Sequence, residues 1–208
     1  MTVLSDPGSV GADERSNIDR IRHAAMKILA THGASGTSLR AVASAAGVSL
    51  GSVQHHFATK AGLIKAVDDW ALAVVVTAIT EPVPDTAPDS VAEIGGRITR
   101  MIDENPELAD YIGRALTDGR PVSDMIFDSL MNSGLARWHR RSERGETRDG
   151  LDLTWAAINA LVLALGALIL RRHIERHLPE PFTSPTQLER WQSSVDSLLR
   201  EGMFKRSD

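Results

Sequence analysis

Apolar positions recur at helical spacing along most of the chain, and no stretch keeps the alternating period of a strand. Ile18, Ile21, Ala25, Ile28 and Leu29 form one stripe behind Ser16, a good N-cap with Asp19 three residues on. Gly33 supplies a stop. Thr37 or Ser38 caps a short second helix that turns Leu39, Val42, Ala43 and Ala46 inward, and Gly47 breaks it. Ser49 caps a third helix with Val53 and Phe57 inward. A long fourth helix opens at Thr59 and carries Leu63, Ile64, Val67, Ala71, Val74, Val75 and Ala78. Residues 81–89 hold three prolines and end it. Further helices are expected over 90–104, 107–118, 122–144, 151–177 and 185–201, with Pro106 in a first turn. The pattern predicts an all-α protein of about nine helices. A disordered tail (1–14) precedes a three-helix head (15–58) and a larger helical body (59–208).

Composition sharpens this. With 208 residues, 42% hydrophobic and 24% charged, the chain is an ordinary globular protein. Aromatics are only 4%, so the core is built of Ala, Leu, Ile and Val, which favours packed helices. The absence of Cys excludes a disulfide framework, a Cys-ligated zinc and a thiol nucleophile. The N-terminus lacks the basic and apolar regions of a signal peptide, and a cytoplasmic protein is expected. The net charge of -4 hides an asymmetry: residues 15–60 sum to +5, the first fourteen to -3 and 61–208 to -6. A basic head on an acidic body points to a polyanion partner for the head alone, against the simpler alternative of chance.

Residues 37–53, TSLRAVASAAGVSLGSV, read as a helix-turn-helix. Small Ala43 allows the two helices to cross closely, Gly47 takes a turn conformation that a Cβ opposes, and Val48 plugs the space between them. Residues 18–67 resemble the N-terminal pattern of the tetracycline-repressor-like (TetR) family of bacterial regulators, including Gly47-Val48-Ser49, Gly51-Ser52, His55-His56-Phe57 and Lys60. The rest of the chain matches only in helix number and length. Where that family usually has Tyr, this chain has Gln54, and it has Val53 where Leu is common.

In such a motif the second helix enters the DNA major groove with its N-terminal part on base edges. Ser49, Leu50, Gly51, Ser52 and Gln54 are therefore the expected reading set, and Gln54 suits an adenine edge. Thr37, Arg40, His55, His56 and Lys60 suit phosphates. The blander roles are packing of the histidines near the fourth helix and a Leu50 without a base contact.

Two other chemistries compete with this reading. Gly47-Val48-Ser49-Leu50-Gly51 fits the G-x-S-x-G of serine hydrolases, but that elbow needs a strand before the serine, and an alanine-rich helix precedes it here. His173 and His177 have the i, i+4 spacing of a metal pair, yet they sit at an expected helix end where cations are favoured anyway. No enzyme, cofactor or metal is expected.

Residues 153–170 are nearly all apolar and reach about 27 Å, a little short of a bilayer core. Thr154 and Asn159 interrupt the run, so a helix buried from every side is expected rather than a membrane span. The resemblance implies that this helix faces both a ligand cavity and a partner subunit. Ala156, Ala160 and Ala164 are candidates for close helix approach, and the final helix, with Leu188, Trp191, Val195, Leu198 and Leu199, would complete a homodimer seam.

The expected function is a ligand-responsive regulator, a repressor that binds a palindromic operator in double-stranded DNA as a homodimer. The alternatives are an activator of the same fold, or a helical ligand-binding or protein-interaction module without DNA binding. A small hydrophobic effector is expected among Met101, Tyr111, Met125, Phe127, Trp138, Trp155 and Asn159. Arg97 and Arg114 lie near in sequence, but no cationic cluster calls for an anion.

Overall fold

The computed structural model describes residues 7–81 and 90–203. They form α1 (Pro7–Gly36), α2 (Leu39–Ala46), α3 (Leu50–Phe57), α4 (Lys60–Thr80), α5 (Ser90–Glu104), α6 (Pro106–Thr117), α7 (Pro121–Glu143), α8 (Leu153–Ile169), α9 (Arg171–Ile174) and α10 (Pro185–Met203). A 3-10 turn, Glu175–His177, follows α9. The fold is all-α as expected, with ten α-helices and no strand among the described residues. No single helix among them is long and apolar enough to cross a membrane.

Two compact units divide between Trp70 and Ala71, inside α4. In the first, α1 starts at Pro7, ahead of the expected Ser16 cap, so helix covers part of the expected tail. Gly33 breaks its helical path with φ 68° and ψ -178°. Ile21, Ala25, Met26 and Leu29 of α1 are buried, as are Val42, Val53, Leu63 and Val67. Side-chain caps set the short helices. Ser38 accepts from the Ala41 amide at 3.1 Å, Ser49 from Ser52 at 3.0 Å and Thr59 from Gly62 at 3.0 Å. Gly47 ends α2 in the left-handed region at φ 64°, ψ 37°. There the Val48 amide donates to Ala43 and the Gly47 amide to Ser44, at 3.0 and 3.2 Å.

In the second unit, α5 packs with α10, and α8 with both α6 and α7. Gly113 lets α6 approach α8 closely: a Cβ there would meet the Leu168 carbonyl at 2.9 Å. The helix expected over 151–177 starts at an Asp152 cap and breaks at Leu170, bending by 69°. Tertiary bonds hold the bend. Arg171 reaches Asp110 at 2.8 Å and Glu175 at 2.9 Å, and Glu175 accepts from the Phe182 amide at 3.0 Å. Phe182 is buried, edge-on to Trp191 at 5.4 Å. This break turns one expected helix into two. The expected breaker at 81–89 lies, but for Glu81, outside the described residues.

Candidate functional site

The head presents α3 as a short exposed helix fixed at both ends. Its entry is the Gly47 turn and the Ser49 cap; at its exit the Ala58 amide donates to the Gln54 carbonyl at 2.9 Å. Arg40, Ser49, Gly51, Gln54 and His55 are exposed, and Leu50, Ser52, His56 and Lys60 are half-buried. The structure therefore brings the expected reading set onto α3 and its N-cap. A Cβ on Gly51 would meet nothing nearer than the Ser49 hydroxyl at 3.7 Å, so packing within the protein leaves room for a side chain there. His55 and His56 rings meet edge-on at 5.2 Å, and His56 leans on Phe57 at 6.2 Å. The Lys60 ammonium donates to the Ser35 carbonyl at 3.3 Å.

Thr37 departs from the expectation. It is 3% exposed, and its hydroxyl donates to the Gly33 carbonyl at 2.8 Å, so its side chain braces the end of α1 rather than facing a phosphate. Sequence reasoning also missed Arg20, counted there only as charge. Its guanidinium donates to the Ala46 and Gly47 carbonyls at 2.7 and 2.9 Å and so ties α1 to the turn. Ser49 joins two helices and spends its hydroxyl on a cap, with no strand before it.

The body encloses a largely apolar cavity of about 150 Å³, walled by α5, α7, α8 and α10, the end of α4 and Ile112 of α6. Of the seven expected lining residues, Met101 and Trp138 are in its wall. The other five are not. Tyr111 is buried elsewhere, its hydroxyl accepting from Arg120 at 2.9 Å. Phe127 is half-buried outside the wall, and Met125 is 44% exposed. Trp155 is 59% exposed and Asn159 is exposed. Helix phase is the reason. Ile126, Leu130 and Trp138 of α7 face the cavity, and Met125 and Phe127 lie about 100° to either side of Ile126. On α8, Ala157, Ala160, Leu161 and Ala164 line it, which turns Trp155, Asn159 and Val162 outward.

The same phase corrects the expected seam. Ala160 and Ala164 line the cavity and Ala156 is buried. On α10, Trp191, Val195 and Leu199 also line it and Leu188 is buried, which leaves Leu198, 58% exposed, on the outer face.

Polar groups in the wall are Arg137, Arg141, Gln192 and Asp196, none foreseen. Arg137 donates to the Ile79 carbonyl at 3.1 Å and the Ser133 hydroxyl at 2.8 Å. Burial, then repulsion from Arg141, Arg140 and Arg97, pushes its pKa down to about 10, so it stays charged at neutral pH. Arg141 stacks on Trp138 at 4.9 Å, and burial lowers its pKa while Glu146 opposes the shift. Burial raises the Asp196 carboxyl, countered by a hydrogen bond with Gln192. Arg97 and Arg114, the cations picked out earlier, pair with Glu93 and Asp118 at 3.0 and 2.8 Å and do not line the cavity. Among the described residues no group of three or more His, Asp or Glu is placed to hold a metal ion. His173 and His177 sit in different elements, α9 and the 3-10 turn.

Fold and head together define an all-α helix-turn-helix protein. Residues 21–67 match the family model of the bacterial regulatory proteins of the tetR family, which bears out the resemblance over the head. The chain is 33% identical over 118 residues to the HTH-type transcriptional regulatory protein RaaS of Mycobacterium tuberculosis, covering 55% of this chain and 51% of that protein. It thus spans about half the length of that curated relative. The fold is similar to that of the fatty acid degradation regulator FadR of Bacillus halodurans, with TM-score 0.70 at 17% identity over 96% of this chain and 98% of the other. It is also similar to SmeT, the repressor of the Stenotrophomonas maltophilia multidrug efflux pump SmeDEF, with TM-score 0.68 at 19% identity over 91% of each.

Proposed function

We propose that the chain is a cytoplasmic DNA-binding transcriptional regulator, a repressor that holds a palindromic operator as a homodimer and releases it when a small molecule fills the body cavity. The observation that carries this is the exposed α3, held by a capped glycine turn within the matched head. Gln54 and the N-terminal half of α3 read bases, while Arg40, His55, His56 and Lys60 take phosphates. RaaS is named a transcriptional regulatory protein and SmeT a repressor, which supports the same role here.

Dimerisation is supported by an outer stripe on α8. Trp155, Asn159, Val162 and Ile169 recur at helical spacing and are all exposed, and Leu170 extends the patch. A second copy of the chain is the partner that a twofold operator requires. The cavity supports an effector site, because Val75 and Ile79 of α4 are in its wall and α4 runs on to Lys60. Occupancy then shifts α4 and with it the spacing of the two reading helices.

A gel shift with DNA from upstream of the protein's own coding sequence tests the reading, together with transcript levels after deletion. Retardation plus a rise in transcript supports a repressor, retardation plus a fall an activator. No retardation leaves a ligand-binding module.

A further inference from the structure

Arg137 stands in the apolar wall of the cavity with no carboxylate to balance it. Its two hydrogen bonds both leave from Nη1, and no Asp or Glu pairs with it among the described residues. The Nε–Nη2 edge is thus left without a protein acceptor among those residues, and this is the edge that takes a carboxylate in two parallel bonds. Arg141 also lines the wall, with Glu146 acting on it, and the one acid in the wall, Asp196, has its charge disfavoured by burial. A guanidinium in an apolar wall without a carboxylate beside it is costly unless an anion enters. The remaining wall, including Ile98, Met101, Ile126, Leu161 and Val195, suits a hydrocarbon body. A void of this size holds roughly a benzene-sized group.

We infer that the cavity takes a compact organic acid, one carboxylate on an apolar body, and that Arg137 is its anchor. This rests on reading the cavity as the effector site. It also deepens that reading, because the guanidinium whose free edge takes the carboxylate holds the Ile79 carbonyl at the end of α4 through Nη1. The anchor is thereby the residue through which occupancy is felt by α4.

The test uses the full chain without DNA, titrated with benzoate and octanoate and, as uncharged comparators, benzyl alcohol and octan-1-ol. Trp138 and Trp191 are in the cavity wall, so tryptophan fluorescence reports occupancy, with calorimetry as a second readout. Each acid is expected to bind about tenfold more tightly than its alcohol, the ratio that one charge-assisted pair supplies. Arg137→Gln, which removes the charge and keeps a polar side chain, should bring the ratio close to one, and Arg137→Lys should retain part of it. Equal binding of acid and alcohol in the unmodified chain overturns the inference, and that comparison requires no variant to fold. So does failure of both acids to saturate at millimolar concentration, or a preference that survives Arg137→Gln. Release of operator DNA by the alcohols but not the acids removes this inference and leaves the regulator reading. Acid binding that depends on Arg137, in a chain that never binds DNA, does the reverse.

Discussion

Arg20 donates to the carbonyl of Gly47 at 2.9 Å, and from the same nitrogen to Ala46 at 2.7 Å. A cation on α1 thus satisfies carbonyls at the C-terminal end of α2, where the helix dipole favours positive charge. The turn that aims α3 is held by this bond as well as by glycine. Arg20→Ala should cost about 1–2 kcal/mol, discounted for partial exposure, read as a lower melting temperature by circular dichroism. DNA affinity should fall with it while the slope against salt stays unchanged. An unchanged melt would show that the turn holds without Arg20.

Gln54 is exposed on α3, four residues from the Leu50 that starts the helix. If it pairs with an adenine edge, Gln54→Ala costs about 1–3 kcal/mol on the operator and much less on random DNA. Gln54→Tyr should change sequence preference in a binding-site selection. Equal losses on both DNAs would reduce Gln54 to a backbone contact.

Trp155 and Val162, 59% and 60% exposed, head the α8 stripe. Val162→Glu should convert the dimer to a monomer in light scattering, while the helical signal persists, because the new charge must be desolvated in the seam. Asn159 belongs to the same face, so Asn159→Leu should alter dimer affinity and leave the ligand response in place. A dimer that survives Val162→Glu places the seam elsewhere.

The Asp196 carboxyl sits above the usual Asp range because burial disfavours its charge. The folded chain therefore holds this proton more tightly than the unfolded chain. Its contribution is most favourable at acid pH, where both states are protonated, and is lost as pH rises through the folded pKa. Asp196→Asn keeps a partner for Gln192 and removes the titration. The variant should be more stable than the parent at neutral pH, with the difference vanishing below the usual Asp range. A less stable variant at neutral pH would contradict this.

What the sequence revealed was local. Ser38, Gly47 and Ser49 fix the ends of α2 and α3 through bonds within three to five residues, so turn and cap chemistry sufficed to find α2, the turn and α3. The cavity depends on helix phase and neighbours instead. Trp155 and Asn159 carry the right chemistry for a pocket but lie on the outer face of α8. Arg137 and Arg141 fall in RWHRRSER, which reads as a solvated stretch until α7 is packed against α8. The break at Leu170 has no Gly or Pro to announce it; it is held by Asp110, sixty-one residues from Arg171.

The most direct measurement is fluorescence anisotropy with two labelled duplexes, one from upstream of the chain's own coding sequence and one scrambled, over a range of salt. Binding to the upstream duplex is expected to be tighter by about a thousandfold or more. Affinity should also fall with salt, with a slope flatter by about one unit in Arg40→Ala and in Lys60→Ala. Equal affinity for the two duplexes, with no salt dependence, would contradict the regulator reading.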